Sequence, residues 1–95
     1  MSNPEWENYG ATIQNSVLEA IKRERVYQDN KHGTIEQHSH SVGEWLLIME
    51  DELQEAKNAW CREHSDTRAL EEILQVIAVG VACLEQHGIV ERNKK

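Results

Sequence analysis

Leu70-Glu71-Glu72-Ile73-Leu74-Gln75-Val76-Ile77-Ala78-Val79-Gly80-Val81-Ala82-Cys83-Leu84 is the stretch on which the fold turns. At about 100° per residue, Leu70, Ile73, Leu74, Ile77, Val81 and Leu84 form one apolar face. Val76, Val79, Ala82 and Cys83 cover most of the opposite side. A helix apolar nearly all round is buried nearly all round. A chain of 95 residues cannot easily wrap one of its own helices completely. Part of this helix is therefore expected to pack against a second copy. The expected fold is all-α: an antiparallel bundle of about three main helices, completed by a four-helix core at a dimer interface.

The flanks of that stretch set its limits. His64-Ser65-Asp66-Thr67 breaks the chain before it, with Asp66 or Thr67 as cap, and the helix runs from about Arg68 to Gln86. Gly88 is placed to end it. Upstream, Ser41-Val42-Gly43-Glu44 is a capping box, with Ser41 as N-cap and Glu44 reaching back. The helix it opens runs to about Arg62, with Val42, Leu46, Met49, Leu53, Ala56 and Trp60 as its stripe. A first helix is expected from about Ala11 to Gln28, with Ile13, Val17, Ala20 and Ile21 at helical spacing. Residues 29–40 are polar, contain Gly33 and predict a loop. Proline occurs only at Pro4, so nothing after it forbids long helices. Val, Ile and Thr form no alternating run, so no strand is expected.

The whole chain is expected to be one domain, residues 1–95, with 1–10 and 89–95 as loose termini. The formal net charge of −7 disfavours direct contact with nucleic acid. It leaves room for a polyphosphate if a metal ion stands between. Cys61 and Cys83 have no CxxC spacing and no secretory signal, which predicts cytoplasmic thiols. The longest mostly apolar run, 73–84, is about twelve residues, where a membrane span requires about twenty. No membrane association is expected.

Chemistry is expected where two helices carry paired acidic groups. In Asp51-Glu52-Leu53-Gln54-Glu55, Glu52 and Glu55 are three apart, and Glu72 and Gln75 repeat the spacing. Residues three apart share a helix side, so each pair can aim two oxygen donors at one point. Two such helices packed together would suit a hard divalent cation. Glu72 and Gln75 also fall on a face that otherwise reads as buried, where an unpaired carboxylate costs several kcal/mol. The alternative is ordinary solvent exposure, with Glu72 favouring the helix dipole at its N-terminal turn. Glu24 and Gln28 fall on the stripe of the first helix and could close one side of the same pocket. Arg23, Arg25 and Lys31 could meet phosphates, or simply keep the surface soluble. His38 and His40 form an HxH without the further spacing of a zinc site. Phosphate-loop and nucleophile-elbow patterns are missing from the sequence.

Glu24-Arg25-Val26-Tyr27-Gln28-Asp29-Asn30-Lys31-His32-Gly33, then Trp45, Asp51-Glu52-Leu53-Gln54-Glu55-Ala56 and Glu72-Ile73-Leu74-Gln75-Val76 stand in an informative order. Together they resemble the MazG-like all-α nucleoside triphosphate pyrophosphohydrolases, over about residues 18–88. The apolar third helix, for its part, leads to the expectation of a homodimer or homotetramer. The resemblance implies cleavage of a (deoxy)nucleoside triphosphate to the monophosphate and pyrophosphate. It implies Mg²⁺, or Mn²⁺, held by Glu52, Glu55, Glu72 and Gln75, with the three glutamates catalytic and Asp51 a possible base. It also implies nucleotide contacts from Glu24, Gln28, Lys31 and Trp45. Gln75 stands where the family has aspartate, which removes one negative charge. Two other roles remain open: a catalytically weakened nucleotide-binding or regulatory module, and a structural helical oligomer that binds a protein partner.

Overall fold

The computed structural model describes residues 4–93, with side chains from Gly10 onward. The described residues form three helices, α1 (Pro4–His32), α2 (Val42–Cys61) and α3 (Asp66–His87), and no strand.

Helix α1 is longer than expected at both ends. Proline is well suited to a helix's first turn, since its missing N–H would be unpaired there anyway. Residues 4–10, expected to be loose, therefore continue the helix. At the other end the helix runs past Gln28 to His32, because polarity alone does not stop a helix. Gly33 does: its φ of 96° takes the left-handed region, and its N–H donates to the Asp29 carbonyl at 2.8 Å. The loop thus begins at Gly33 and not at Asp29.

The caps of α2 and α3 are built from short polar side chains. Ser41 Oγ accepts from Glu44 N at 3.1 Å, and Ser41 N donates to Glu44 Oε1 at 2.8 Å, closing the capping box. That backbone donor holds the Glu44 carboxyl below its ordinary range. For α3 the cap is Ser65, one residue earlier than expected, with Oγ accepting from Arg68 N at 3.0 Å. Gly88 closes α3 as expected, with φ 94° and its N–H on the Leu84 carbonyl.

Helices α2 and α3 form an antiparallel hairpin. Trp45 packs with Val79 and Ala82 near one end, and Ser65 N reaches the Ala59 carbonyl at the other. The buried positions between them are mostly small: Ala56 and Ala59 on α2, Ala69, Ala78 and Ala82 on α3. Small side chains let the two backbones approach. At Gly80 a Cβ would stand 3.3 Å from Met49 Cε, so the absent side chain lets Met49 lie against the α3 backbone. Helix α1 packs on α3 and makes no helix–helix contact with α2 among the described residues. The arrangement is therefore a hairpin with a third helix laid on α3, an open form of the expected bundle.

Apart from Trp45 and Val79, the buried apolar residues are alanines, and many of the large apolar side chains stay out. Of the stripe expected on α2, Ala56 is buried and Met49 partly so, but Val42, Leu46, Leu53 and Trp60 are exposed, and Trp45 and Ala59, outside the stripe, are buried. On α3, Leu70, Ile73, Ile77 and Leu84 are exposed. The hairpin is rotated so that its alanine positions meet, and small side chains there allow close backbone approach. The result is extended: the radius of gyration is 16.0 Å, against about 12 Å for a compact chain of this length. Ile13 and Val17, on the expected stripe of α1, are exposed too.

A candidate metal and ligand site

One turn of α2 and one of α3 bring three carboxylates together. Glu52 and Glu55, three apart on α2, face Glu72 on α3, and each offers an oxygen within 4.8 Å of the others'. The antiparallel hairpin is what makes this possible, since it sets the middle of α2 beside the first turns of α3. Asp51 is exposed and stands outside the group.

The electrostatics of the group are unfavourable as it stands. Glu72 is only 7 % exposed. Burial pushes its carboxyl above the ordinary range, and the neighbouring Glu55 adds to the effect; Arg68 opposes it. Glu52 is raised for the same reasons, burial first, then Glu55, Glu72 and Asp51, with Lys31 acting against them. Oε2 of Glu52 and Oε2 of Glu72 are enclosed without a hydrogen-bond partner. Arg68 gives Glu72 Oε1 a long contact of 3.5 Å, while its shorter one, 2.9 Å, goes to Glu71. Enclosed, unpaired carboxylate oxygens are costly. Three hard oxygen donors around one point fit a divalent cation such as Mg²⁺ or Mn²⁺.

Beside the carboxylates lies a cavity of about 370 Å³, within the range of small-molecule sites. Glu52, one of the three carboxylates, and Gln75 line it, and Glu24, Gln28 and Lys31 line it from α1. Glu24, Gln28 and Lys31 reach this cavity because the second half of α1 packs on α3, and Trp45 borders it from α2, whereas Arg23, Glu55 and Glu72 do not line it. Lys31 extends over the Tyr27 ring at 5.8 Å from its centre. The Gln28 amide is engaged, accepting from Arg25 Nη1 at 3.3 Å and donating to the Gln75 carbonyl at 3.5 Å.

Two of the candidate contacts, Trp45 and Arg25, border the cavity but have their polar groups engaged within the protein. Trp45 borders the cavity but is buried against Val79 and Ala82, and its indole N–H donates to Gln86 Oε1 at 2.9 Å. Its polar edge is spent inside the protein, so it shapes the wall and offers no donor to a ligand. Arg25, a candidate phosphate contact, is buried and held by Glu85 at 2.7 Å and Asp29 at 2.9 Å. Hydrogen bonding to Glu85 raises its already high pKa. Its charge is matched within the protein, and it ties α1 to the far end of α3.

Sequence reasoning missed the loop. Ile35, His38 and His40 also line the cavity, because the segment after Gly33 folds back over it. His38 Cδ2 would lie 2.7 Å from a Cβ on Gly33, which shows how tightly the loop turns. Among the described residues no metal-binding group includes a histidine. Gln86 was missed as well. It lies on the face of α3 shared with Gln75, Val79 and Ala82, and a polar residue on a buried face requires a partner. Comparison with protein-family models, with curated proteins and with solved structures finds no match.

Proposed function

We propose that this chain is a divalent-metal-dependent nucleotide pyrophosphohydrolase, cleaving a (deoxy)nucleoside triphosphate to monophosphate and pyrophosphate. The observation that carries the reading is the convergence of Glu52, Glu55 and Glu72, with two enclosed oxygens unpaired, where Glu52 also lines a ligand-sized cavity. Burying like charges beside one another destabilises a fold, so such a cluster is better explained by a cation than by packing. The order of motifs that resembles the MazG-like enzymes supplies the reaction class.

In this reading Glu52, Glu55 and Glu72 hold Mg²⁺ or Mn²⁺, with Gln75 able to add a carbonyl oxygen. The ion would supply Lewis acidity and screening of the triphosphate's charge. Lys31 and Glu24 face the nucleotide from α1, and the loop and Trp45 bound it opposite. A water attacks the α-phosphorus, the bond to the bridging oxygen breaks, and pyrophosphate leaves. The water's proton passes to a carboxylate, one of the three or Asp51.

The exposed apolar stripes of α2 and α3 support a homodimer in which the two hairpins form a four-helix core. Val42, Leu46, Leu53 and Trp60 on one helix and Leu70, Ile73 and Ile77 on the other would be covered in it. Cys61 and Cys83 are unpaired thiols, which suits the cytoplasm that such a substrate implies.

The test is incubation of the purified protein with each common NTP and dNTP plus Mg²⁺, quantifying both products. Equal release of monophosphate and pyrophosphate is expected, abolished by EDTA. Glu52→Gln and Glu55→Gln should each lower turnover on the order of 100-fold or more while leaving helicity and oligomer size intact. Full turnover in either variant at limiting Mg²⁺ would remove the metal assignment. Nucleotide binding without turnover would favour the regulatory module, with Gln75 the cause. If Mg²⁺ and nucleotide both fail to raise thermal stability, the structural oligomer becomes the better reading.

A further inference from the structure

We propose that Gln86 is a positioning residue that fixes the Gly33–His40 loop and Trp45 as one wall of the cavity and so sets affinity for the ligand, an inference that rests on the proposed function. Gln86 occupies the last turn of α3, half-buried, and does not itself line the cavity. Its Oε1 accepts from His40 N at 3.0 Å and from Trp45 Nε1 at 2.9 Å. Its Nε2 donates to the His40 carbonyl at 2.7 Å. One side-chain amide thereby joins three elements: the end of the loop, the first turns of α2 and the end of α3.

The chemistry of these bonds requires an amide. His40 presents both a donor and an acceptor, and Trp45 presents a donor only; glutamine has a carbonyl for the two donors and an NH₂ for the acceptor. His87 Nε2 lies 2.8 Å from the same His40 carbonyl and reinforces the attachment. The His40 ring then meets the Trp45 ring edge-on, with centres 4.8 Å apart and planes at 83°.

Other contacts of the loop do not orient it in this way. Gln37 N and His38 N both donate to the Thr34 carbonyl, and Thr34 N donates to Gln37 Oε1, so these bonds close within the loop. Ile35 packs on the core, but apolar contact is non-directional. The amide of Gln86, with its directional bonds, is what aligns His38, His40 and Trp45 along the cavity.

Distance separates this role from the chemical step. Gln86 and Glu72 are about 21 Å apart along α3, at about 1.5 Å per residue. Loss of the amide should therefore weaken ligand binding and leave the carboxylate group in place. The experiment is steady-state kinetics of Gln86→Met and Gln86→Glu on the best nucleotide, with hydrogen exchange at the His40 amide and melting curves alongside. Methionine keeps the length and removes all three bonds. Glutamate keeps the two acceptor bonds and loses the donor.

For Gln86→Met, KM should rise about tenfold or more while kcat falls less than about threefold, and the His40 amide should exchange faster. Gln86→Glu should lie between it and the wild type. An unchanged KM in Gln86→Met, with wild-type turnover present, would overturn the positioning role alone. So would a fall in kcat as large as the rise in KM, since that would mark general loss of structure. If Gln86→Met does not fold, Gln86→Glu decides, and an unchanged KM with faster His40 exchange overturns the proposal equally. A wild-type protein that neither binds nor cleaves any nucleotide would instead refute the proposed function, and the positioning role would fall with it.

Discussion

Glu72 carries an enclosed carboxylate oxygen without a partner, next to Glu52, which carries another. Both carboxyls bind protons more tightly in the folded chain than in the unfolded one, where their ordinary value is 4.5. The stability this provides is fully present below that value and is lost as pH rises through the raised folded values. Melting temperatures of the metal-free protein should accordingly contain a component that falls as pH climbs above 4.5. A divalent cation acts oppositely, because it binds the deprotonated groups, so its stabilising effect should grow across the same window. Thermal melts with Mg²⁺ or with EDTA over that range check the sign, and a stabilisation independent of pH would argue against carboxylate ligation. Glu72→Gln removes the buried charge and should stabilise the metal-free protein by about 1 kcal/mol while abolishing the Mg²⁺ response. Gln75→Asp restores a negative charge at the cavity's acidic end and should tighten Mg²⁺ binding. A calorimetric titration showing the same affinity as wild type would mean that Gln75 stays away from the ion.

Among the elements, the capping box of α2 has the most direct consequence, since it starts the helix that carries Glu52 and Glu55. Ser41→Ala removes the acceptor for Glu44 N and should cost about 1 kcal/mol of stability, measured by denaturant unfolding. A cost near zero would mean that packing of Trp45 alone fixes this helix start. Gly33 ends α1 at a φ of 96°, and His38 covers the place a Cβ would take. The loop's course over the cavity therefore depends on a residue whose role follows from its backbone angle. The resulting loop brings His38 and His40 to the cavity, which their HxH spacing did not foretell.

At the scale of the whole molecule many large apolar side chains, Leu46, Leu53, Trp60, Leu70 and Ile77 among them, lie outside the hairpin core. The chain exposes 7766 Å², about 2,000 Å² more than a compact monomer of this mass would. That excess is of the order a stable subunit interface buries. Ile77→Glu and Leu70→Glu should convert the expected dimer into a smaller species with a lower melting temperature. Analytical ultracentrifugation gives the answer, and a wild-type protein that stays monomeric at its highest soluble concentration would rule out the four-helix core. Because a dimer is stabilised by mass action, its melting temperature should also rise with protein concentration.

By itself the sequence determined the number of helices, the breaks around Ser41 and Ser65 within a residue, and the stop at Gly88. Those features are local: a cap needs a hydroxyl three residues before an amide, and a helix end needs a residue that tolerates positive φ. It also marked Glu52, Glu55 and Glu72 as residues able to share a point, because three-residue spacing is a property of any helix. Only the tertiary structure decided which face of each helix turns inward. Periodicity ranks faces by apolarity, and the leucine and isoleucine faces rank highest, but close approach of two backbones selects alanine and glycine. That choice buried Glu72, brought Gln86 under the loop and set the second half of α1 beside Gln75. Contacts between residues distant in sequence depend on how helices are rotated and crossed, and the spacing along one helix carries no record of its partner's rotation.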